Sequence, residues 1–397
     1  MKNFIKAFLI TITILSSAAF ADTHFTTVGR LDSFSWAPPT YTTGFKYDIF
    51  YYIPTSVAFH PETASKSILF MHGGGQSTMT RDGAISAVKL YTGDFIKIAE
   101  QQHLIVVFPS TNGLNWGGHT RVLLRELAKL MRTELPIDAN SIALIGHSMG
   151  GMGITRNAFF LGDQFKFMMP VAAGMDPKYM TDVNLLTLFN AAYHHVQGLH
   201  DEFSVFVDRA KMHEAKMKEL EAKLGKPSLF ELTLTDTGHN YDLNQLSGII
   251  DAQFTKSTRN LYQSDLYGSF YYGNQIVTDN NIQYNFTSTP EYFWLEAKEF
   301  TPAAKATLSP FEAHITGNQI AVTFKGPHNV KIMRIYLSNK MLNLGKAITV
   351  LVNGKSKFTG LIDASKPKTT EIIAARSDTG FVFDQYLDLD VSDSQIQ

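Results

Sequence analysis

Ser148 sits at the centre of Gly146-His147-Ser148-Met149-Gly150, a G-x-S-x-G pattern. It is entered from the apolar run Ser141-Ile142-Ala143-Leu144-Ile145 and followed by a helix-forming stretch. A serine on such a strand-to-helix turn holds a strained backbone conformation, so the residues two before and two after must be nearly free of side chain. The turn lifts Oγ beyond the strand end. The next N–H, that of Met149, then opens a helix and can bind an anion. A serine hydroxyl attacks a carbonyl at neutral pH only when an imidazole takes its proton and a carboxylate orients that imidazole. The chemistry in prospect is acyl transfer. The chain offers Asp201, Glu202, Asp208 and Asp176 as acids, and His72, His147, His194, His195, His200, His213 and His239 as imidazoles.

The elements that must position these groups alternate in type. Phe45 to Ile53 reads as an early strand stopped by Pro54, and Ser67 to Met71 as a short apolar strand running into His72-Gly73-Gly74-Gly75. A helix over about Ile85 to Gln102 precedes the strand Leu104 to Phe108. Thr120 reads as the N-cap of a helix reaching Thr133, ahead of the strand that feeds Ser148. Further strands are expected at Phe165 to Val171, Ala191 to Gln197 and Leu229 to Leu234. A helix over Ser204 to Leu224 puts Phe206, Ala210, His213, Met217, Leu220 and Leu224 on one face, and a helical stretch follows at Leu243 to Phe254. Strand and helix thus alternate from about Ser67 to Asp251, which implies a parallel sheet covered on both faces.

The pattern changes after Thr255. Residues 260–289, rich in Tyr, Asn, Ser and Gly, read as a linker or packed extension. Residues 290–397 read as a small β-rich module, with strands at Tyr292 to Leu295, Ile320 to Phe324, Val330 to Leu337, Ile348 to Val352 and Phe381 to Leu387. Asn353-Gly354 supplies a two-residue hairpin signal.

With 397 residues, 44% of them hydrophobic, the chain exceeds what a single core usually supports, so a second module is expected. A net charge of -1 and the absence of a basic cluster argue against nucleic acid as a partner. Residues 1–21 have the layout of a secretory leader: Lys2 and Lys6, an apolar core at Ala7 to Leu15, then Ala19-Phe20-Ala21. That core is too short for a membrane span. The mature chain is expected to begin at Asp22, exported to a periplasm or beyond and without stable membrane insertion. It holds no cysteine, so neither disulfides nor thiolate metal sites can form. No metal or phosphate-loop motif stands out, and hydrolysis without a cofactor is expected.

The pentapeptide, the glycine loop after Met71 and the strand–helix alternation resemble the α/β-hydrolase superfamily. The spacing is most similar to exported carboxylesterases of the poly(3-hydroxybutyrate)-depolymerase and feruloyl-esterase type, with the prolyl-oligopeptidase group next. The resemblance implies an α/β-hydrolase catalytic domain at residues 22–259, with the β-rich part appended. It implies the chain order serine, acid, histidine, and so selects Asp201, in Gly198-Leu199-His200-Asp201, and His239, in Gly238-His239-Asn240-Tyr241. His72-Gly73-Gly74-Gly75 resembles the H-G-G-G loop, which implies an oxyanion hole from the N–H groups of Met149 and Gly74, with Gly73 beside it. His72, Trp116 and His147 are candidates for the pocket wall, and equally for shaping the loop and elbow from beneath. The implied activity is cleavage of a small-molecule or polymer-borne carboxylic ester through an acyl-enzyme. A serine peptidase and a non-catalytic binding protein on the same scaffold stand as the alternatives.

Overall fold

The computed structural model describes residues 23–58, 65–279, 281–303 and 305–394; the expected leader lies outside them. Eight strands form the central sheet: β1 (Asp32–Trp36), β2 (Tyr47–Tyr52), β3 (Ser65–Met71), β4 (Ile105–Pro109), β5 (Ile137–His147), β6 (Phe167–Val171), β7 (Ala192–Gly198) and β8 (Phe230–Thr235). Their order is β1-β2-β4-β3-β5-β6-β7-β8. The β1–β2 and β2–β4 pairs are antiparallel, and every pair from β4 to β8 is parallel. The near-continuous apolar strands follow from burial on both faces. Leu69, Ile105 and Leu144 enter one core, while their neighbours Ile68, Val106 and Ala143 enter the other.

Five helices cover the sheet: α1 (Arg81–Gln102), α2 (Thr120–Glu134), α3 (Met149–Asn157), α4 (Ser204–Leu224) and α5 (Leu243–Lys256). α4 buries Val207, Ala210, His213, Met217 and Leu220, close to the face the spacing predicts, but Phe206 turns out of that core. Thr120 is not an N-cap. It is the first residue of α2 and buried, and the cap position falls on His119, which makes no side-chain capping bond.

Residues 260–289, expected as a linker or packed extension, are rich in strand. They contain β9 (Asp265–Asp279) and β10 (Ile282–Thr289), which pair with each other and join a six-stranded sheet. Its other members are β13 (Thr307–Thr316), β14 (Gln319–Phe324), β16 (Ile348–Val352) and β17 (Lys355–Gly360), in the order β10-β9-β13-β14-β16-β17. A four-stranded sheet, β11 (Glu291–Tyr292), β12 (Leu295–Phe300), β15 (Val330–Leu337) and β18 (Gln385–Asp390), packs with it. The strand expected at Tyr292 to Leu295 is broken at Phe293, whose φ of 49° turns the chain between β11 and β12. The strand expected at Phe381 to Leu387 begins later. Phe381 and Phe383 lie in the preceding loop and fill the second core, so their aromatic character marks burial and not a ladder. Asn353 and Gly354 both have positive φ, as a two-residue hairpin turn requires.

The two parts are joined by buried ion pairs. Arg125 on α2 meets Asp163 at 2.9 Å and reaches Glu291 on β11, while Arg376, on the helix α6 (Thr369–Arg376), meets Asp163 at 3.3 Å. Asp378 is clasped by Arg259 and lies 3.5 Å from Arg132. The surrounding cations hold the Glu291 carboxyl down at about 2 against the pull of burial. Removing one member would leave a buried charge unpaired, at a cost of about 3–5 kcal/mol. The β-rich part is therefore locked to the sheet and not hung from it.

Candidate active site

The elbow is built by close approach. Ser148 has φ 53° and ψ −116°, outside the regions that L-residues favour. A Cβ on Gly146 would lie 2.6 Å from the Gly150 carbonyl carbon, and one on Gly150 would lie 2.1 Å from the Met71 carbonyl oxygen. Both glycines are thus demanded by the crossing of β3, β5 and α3. The strain is held by the parallel pairing of β5 to β3 and β6, and by the Ser148 N–H donating to the Val171 carbonyl.

The structure brings Ser148, His239 and Asp201 together. His239 Nε2 lies 2.8 Å from Ser148 Oγ, and His239 Nδ1 lies 3.0 and 3.2 Å from the two Asp201 carboxylate oxygens. Asp201 follows β7 and His239 follows β8, so adjacent parallel strands deliver them to the same sheet edge. The Asp201 carboxylate is buried and accepts two further bonds, from Phe203 N–H and from Gln197 Nε2, each at 2.8 Å. Both anchor it toward the imidazole. Glu202 accepts the His239 backbone N–H at 3.2 Å, which holds the loop and leaves the ring to Asp201. Asp176 caps a short turn after β6 through Lys178 N–H, away from this cluster.

The glycine loop behaves less uniformly than its sequence. The Tyr91 hydroxyl packs against Gly73, where a Cβ would lie 2.3 Å from it. Gly74, at φ 143°, makes no backbone hydrogen bond from its N–H among the described residues. Thr78 ties the loop to the elbow: its hydroxyl donates to the Gly75 carbonyl and lies 3.8 Å from Met149 Sδ.

His72, Trp116 and His147 are all buried. Trp116 Nε1–H donates to the His72 carbonyl, and its side chain packs on Gly153 of α3. His72 Nε2 accepts the Thr111 N–H, so Nδ1 carries the proton it donates to the Gly73 carbonyl. Burial pushes the His72 imidazole down to about 4. His147 Nε2–H donates to the His239 carbonyl at 2.8 Å, and its Nδ1 accepts from the Tyr91 hydroxyl at 2.9 Å. Burial holds it near pKa 4, so it stays neutral in that tautomer. Tyr91 therefore packs on Gly73 and connects, through His147, to the His239 loop. Nothing in its local sequence marks it, because its position depends on α1 packing over the elbow. Phe203 and Phe206 also escape local reading. Their rings lie 4.9 and 5.8 Å from His239, and Phe203 is 51% exposed beside it.

Strand order, antiparallel start and a serine elbow after β5 define the α/β-hydrolase fold. No family model matches the chain, and no curated protein matches it in sequence. Among solved structures, the chain is similar to a poly(3-hydroxybutyrate) depolymerase from Bordetella parapertussis, at 14% identity and a TM-score of 0.43, over 55% of this chain and 87% of that one. It is similar to an S-formylglutathione hydrolase from Agrobacterium tumefaciens, at 19% identity and a TM-score of 0.42, over 58% and 95% of the two chains. It is also similar to dipeptidyl peptidase 4 from Porphyromonas gingivalis, at 12% identity and a TM-score of 0.42, over 58% and 36%.

Proposed function

We propose that this protein is an exported serine hydrolase that cleaves carboxylic esters through an acyl-enzyme. The observation that carries the reading is the unbroken chain from Ser148 Oγ through His239 to the buried Asp201 carboxylate, at 2.8 and 3.0 Å. His239 Nε2 takes the Ser148 proton as Oγ attacks the carbonyl carbon. The N–H groups of Met149 and Gly74 receive the developing oxyanion; such a donor is worth about 3–4 kcal/mol of transition-state stabilisation. His239 then protonates the leaving alkoxide, Asp201 supports the imidazolium, and water releases the acyl group by the same steps reversed. Phe203, exposed beside His239, offers apolar contact to an acyl or alkoxy group. Export rests on the leader-like residues 1–21, with Asp22 as the first mature residue.

The test is covalent. A fluorophosphonate probe is expected to label the purified protein once, on the peptide carrying Ser148, and Ser148→Ala is expected to abolish the label. A folded protein that takes no label has no activated serine, and the reading falls. Faster turnover of peptide anilides than of nitrophenyl esters would replace the esterase by a peptidase.

Tyr91 is a positioning residue on this reading. Tyr91→Phe removes the hydroxyl that fixes His147 and, through it, the His239 backbone. The expected loss is about tenfold, the weight of one buried hydrogen bond (about 1–1.5 kcal/mol), and it falls on kcat with KM little changed. A change confined to thermal stability, with kcat intact, would assign Tyr91 to packing alone.

A further inference from the structure

Seven of the nine residues of α3 are buried; Met152 and Arg156 keep some exposure, as does Ser148 just ahead of the helix. The spacing of four places Met152 and Arg156 on one face, with Ser148 at the head of the helix. At 1.5 Å per residue, Arg156 stands about 12 Å along the axis from Ser148. Its guanidinium has no hydrogen bond, ion pair or ring contact among the described residues. It lines a cavity of about 420 Å³ between the sheet's helices and the β-rich part, with Tyr179, Asn184, Arg121 and Tyr271. Arg121 is held in the wall by its rings, 3.7 Å from the Tyr271 centroid and 4.7 Å from that of Phe160. Among the described residues, two guanidinium groups and no carboxylate line this space. A half-buried cation without a counter-ion keeps an unmet demand for an anion. Met152, between Ser148 and Arg156 in the chain, and Tyr179, in the cavity wall, are both only partly buried against the core.

We propose that the Arg156 cavity is the distal subsite of the reacting ester, and that the substrate class is esters whose acyl chain ends in a second carboxylate. The inference rests on the esterase reading above. The leaving oxygen must sit at His239 Nε2 beside Phe203 and Phe206, none of which lines the cavity, so the acyl chain is the part that follows the α3 stripe. Helical side chains lean toward the N-terminus, so the arginine reaches back toward the serine, and a chain of about six to eight carbons spans the interval.

The test compares mono-4-nitrophenyl suberate with 4-nitrophenyl octanoate, equal in length and leaving group but differing in the terminal charge. The unmodified protein is expected to favour the suberate ester in kcat/KM, and added salt to narrow the preference. Arg156→Ala is expected to lower the suberate-to-octanoate ratio about tenfold, chiefly through KM, because the contact is made equally in ground and transition states. Arg156→Lys retains the charge and is expected to keep most of the preference, which also serves should the alanine variant not fold. A ratio unmoved by both salt and Arg156→Ala overturns the subsite and leaves the esterase standing. No hydrolysis of either ester by the unmodified protein overturns the esterase reading, and the subsite with it.

Discussion

Asp201→Asn is expected to lower kcat on a soluble nitrophenyl ester about ten-thousandfold while the protein stays folded. The aspartate oxygens accept from Phe203 N–H, from Gln197 Nε2 and from His239 Nδ1. An asparagine can keep its oxygen on the Phe203 N–H and place its amide nitrogen where the second oxygen was. Gln197 can accommodate this, because its own amide oxygen is buried without a hydrogen-bond partner among the described residues and can turn to accept the new donor. The histidine cannot. An amide N–H aimed at Nδ1 forces the proton onto Nε2, where it faces Ser148 Oγ, and the imidazole can no longer take the serine proton. The expected loss is thus one of tautomer and not of structure. It should appear in kcat with KM nearly constant, and with an unfolding temperature close to that of the parent. Activity within tenfold of the parent would remove Asp201 from the mechanism.

The contrast between Asp201 and Gln197 shows what could be read from the chain alone. Ser148, Asp201 and His239 lie at the ends of β5, β7 and β8, each beside a glycine turn, so local pattern together with the chain order that the resemblance implies selects them. Gln197 is the penultimate residue of β7 and looks like any strand residue until Asp201 folds back over it. Tyr91, Phe203 and Arg156 are equally silent, because each acquires its place only when helices dock on the sheet. The aromatic-poor spacing of a linker and the aromatic texture of 260–289 differ in the direction that β9 and β10 would predict. The turn-rich composition masked it, because the long strands pair beyond the first sheet. The buried set of Arg125, Asp163, Glu291, Arg259 and Asp378 spans more than two hundred residues with Arg376 included, and no periodicity reports such pairs.

The same burial that fixes the histidine tautomers sets the acid limit of the fold. His72 and His147 are held near pKa 4, His119 and His195 near 3, and His213 well below its ordinary value, each chiefly by loss of solvent. An unfolded histidine binds its proton near pH 6.5, so below that pH the unfolded state takes up protons that the folded state refuses. Stability is therefore complete above about pH 6.5 and falls as the pH drops toward 4. A fall from 6.5 to about 4 or 3 is worth roughly 3–5 kcal/mol for each group at full titration, and two such groups approach the usual stability of about 5–15 kcal/mol. Glu291 and its cations keep their charges through this window, because that carboxyl is protonated only near pH 2. The sheet with its histidines should fail before the ionic seam does. The urea midpoint is expected to collapse between pH 6.5 and 4.5, and His213→Leu isolates the cause. That ring lies on α4 against Tyr193, Phe230 and His195, at centroid distances of 5.5, 4.5 and 6.4 Å, with no hydrogen-bond partner on either nitrogen among the described residues. An apolar side chain of similar volume removes one proton from the unfolding balance and leaves the packing nearly unchanged. The variant should match the parent within about 1 kcal/mol at pH 7.5 and exceed it at pH 5, with a shallower slope between. A urea midpoint that is flat across the range in the parent, or an equal slope in both proteins, would show that these imidazoles are not what acid attacks.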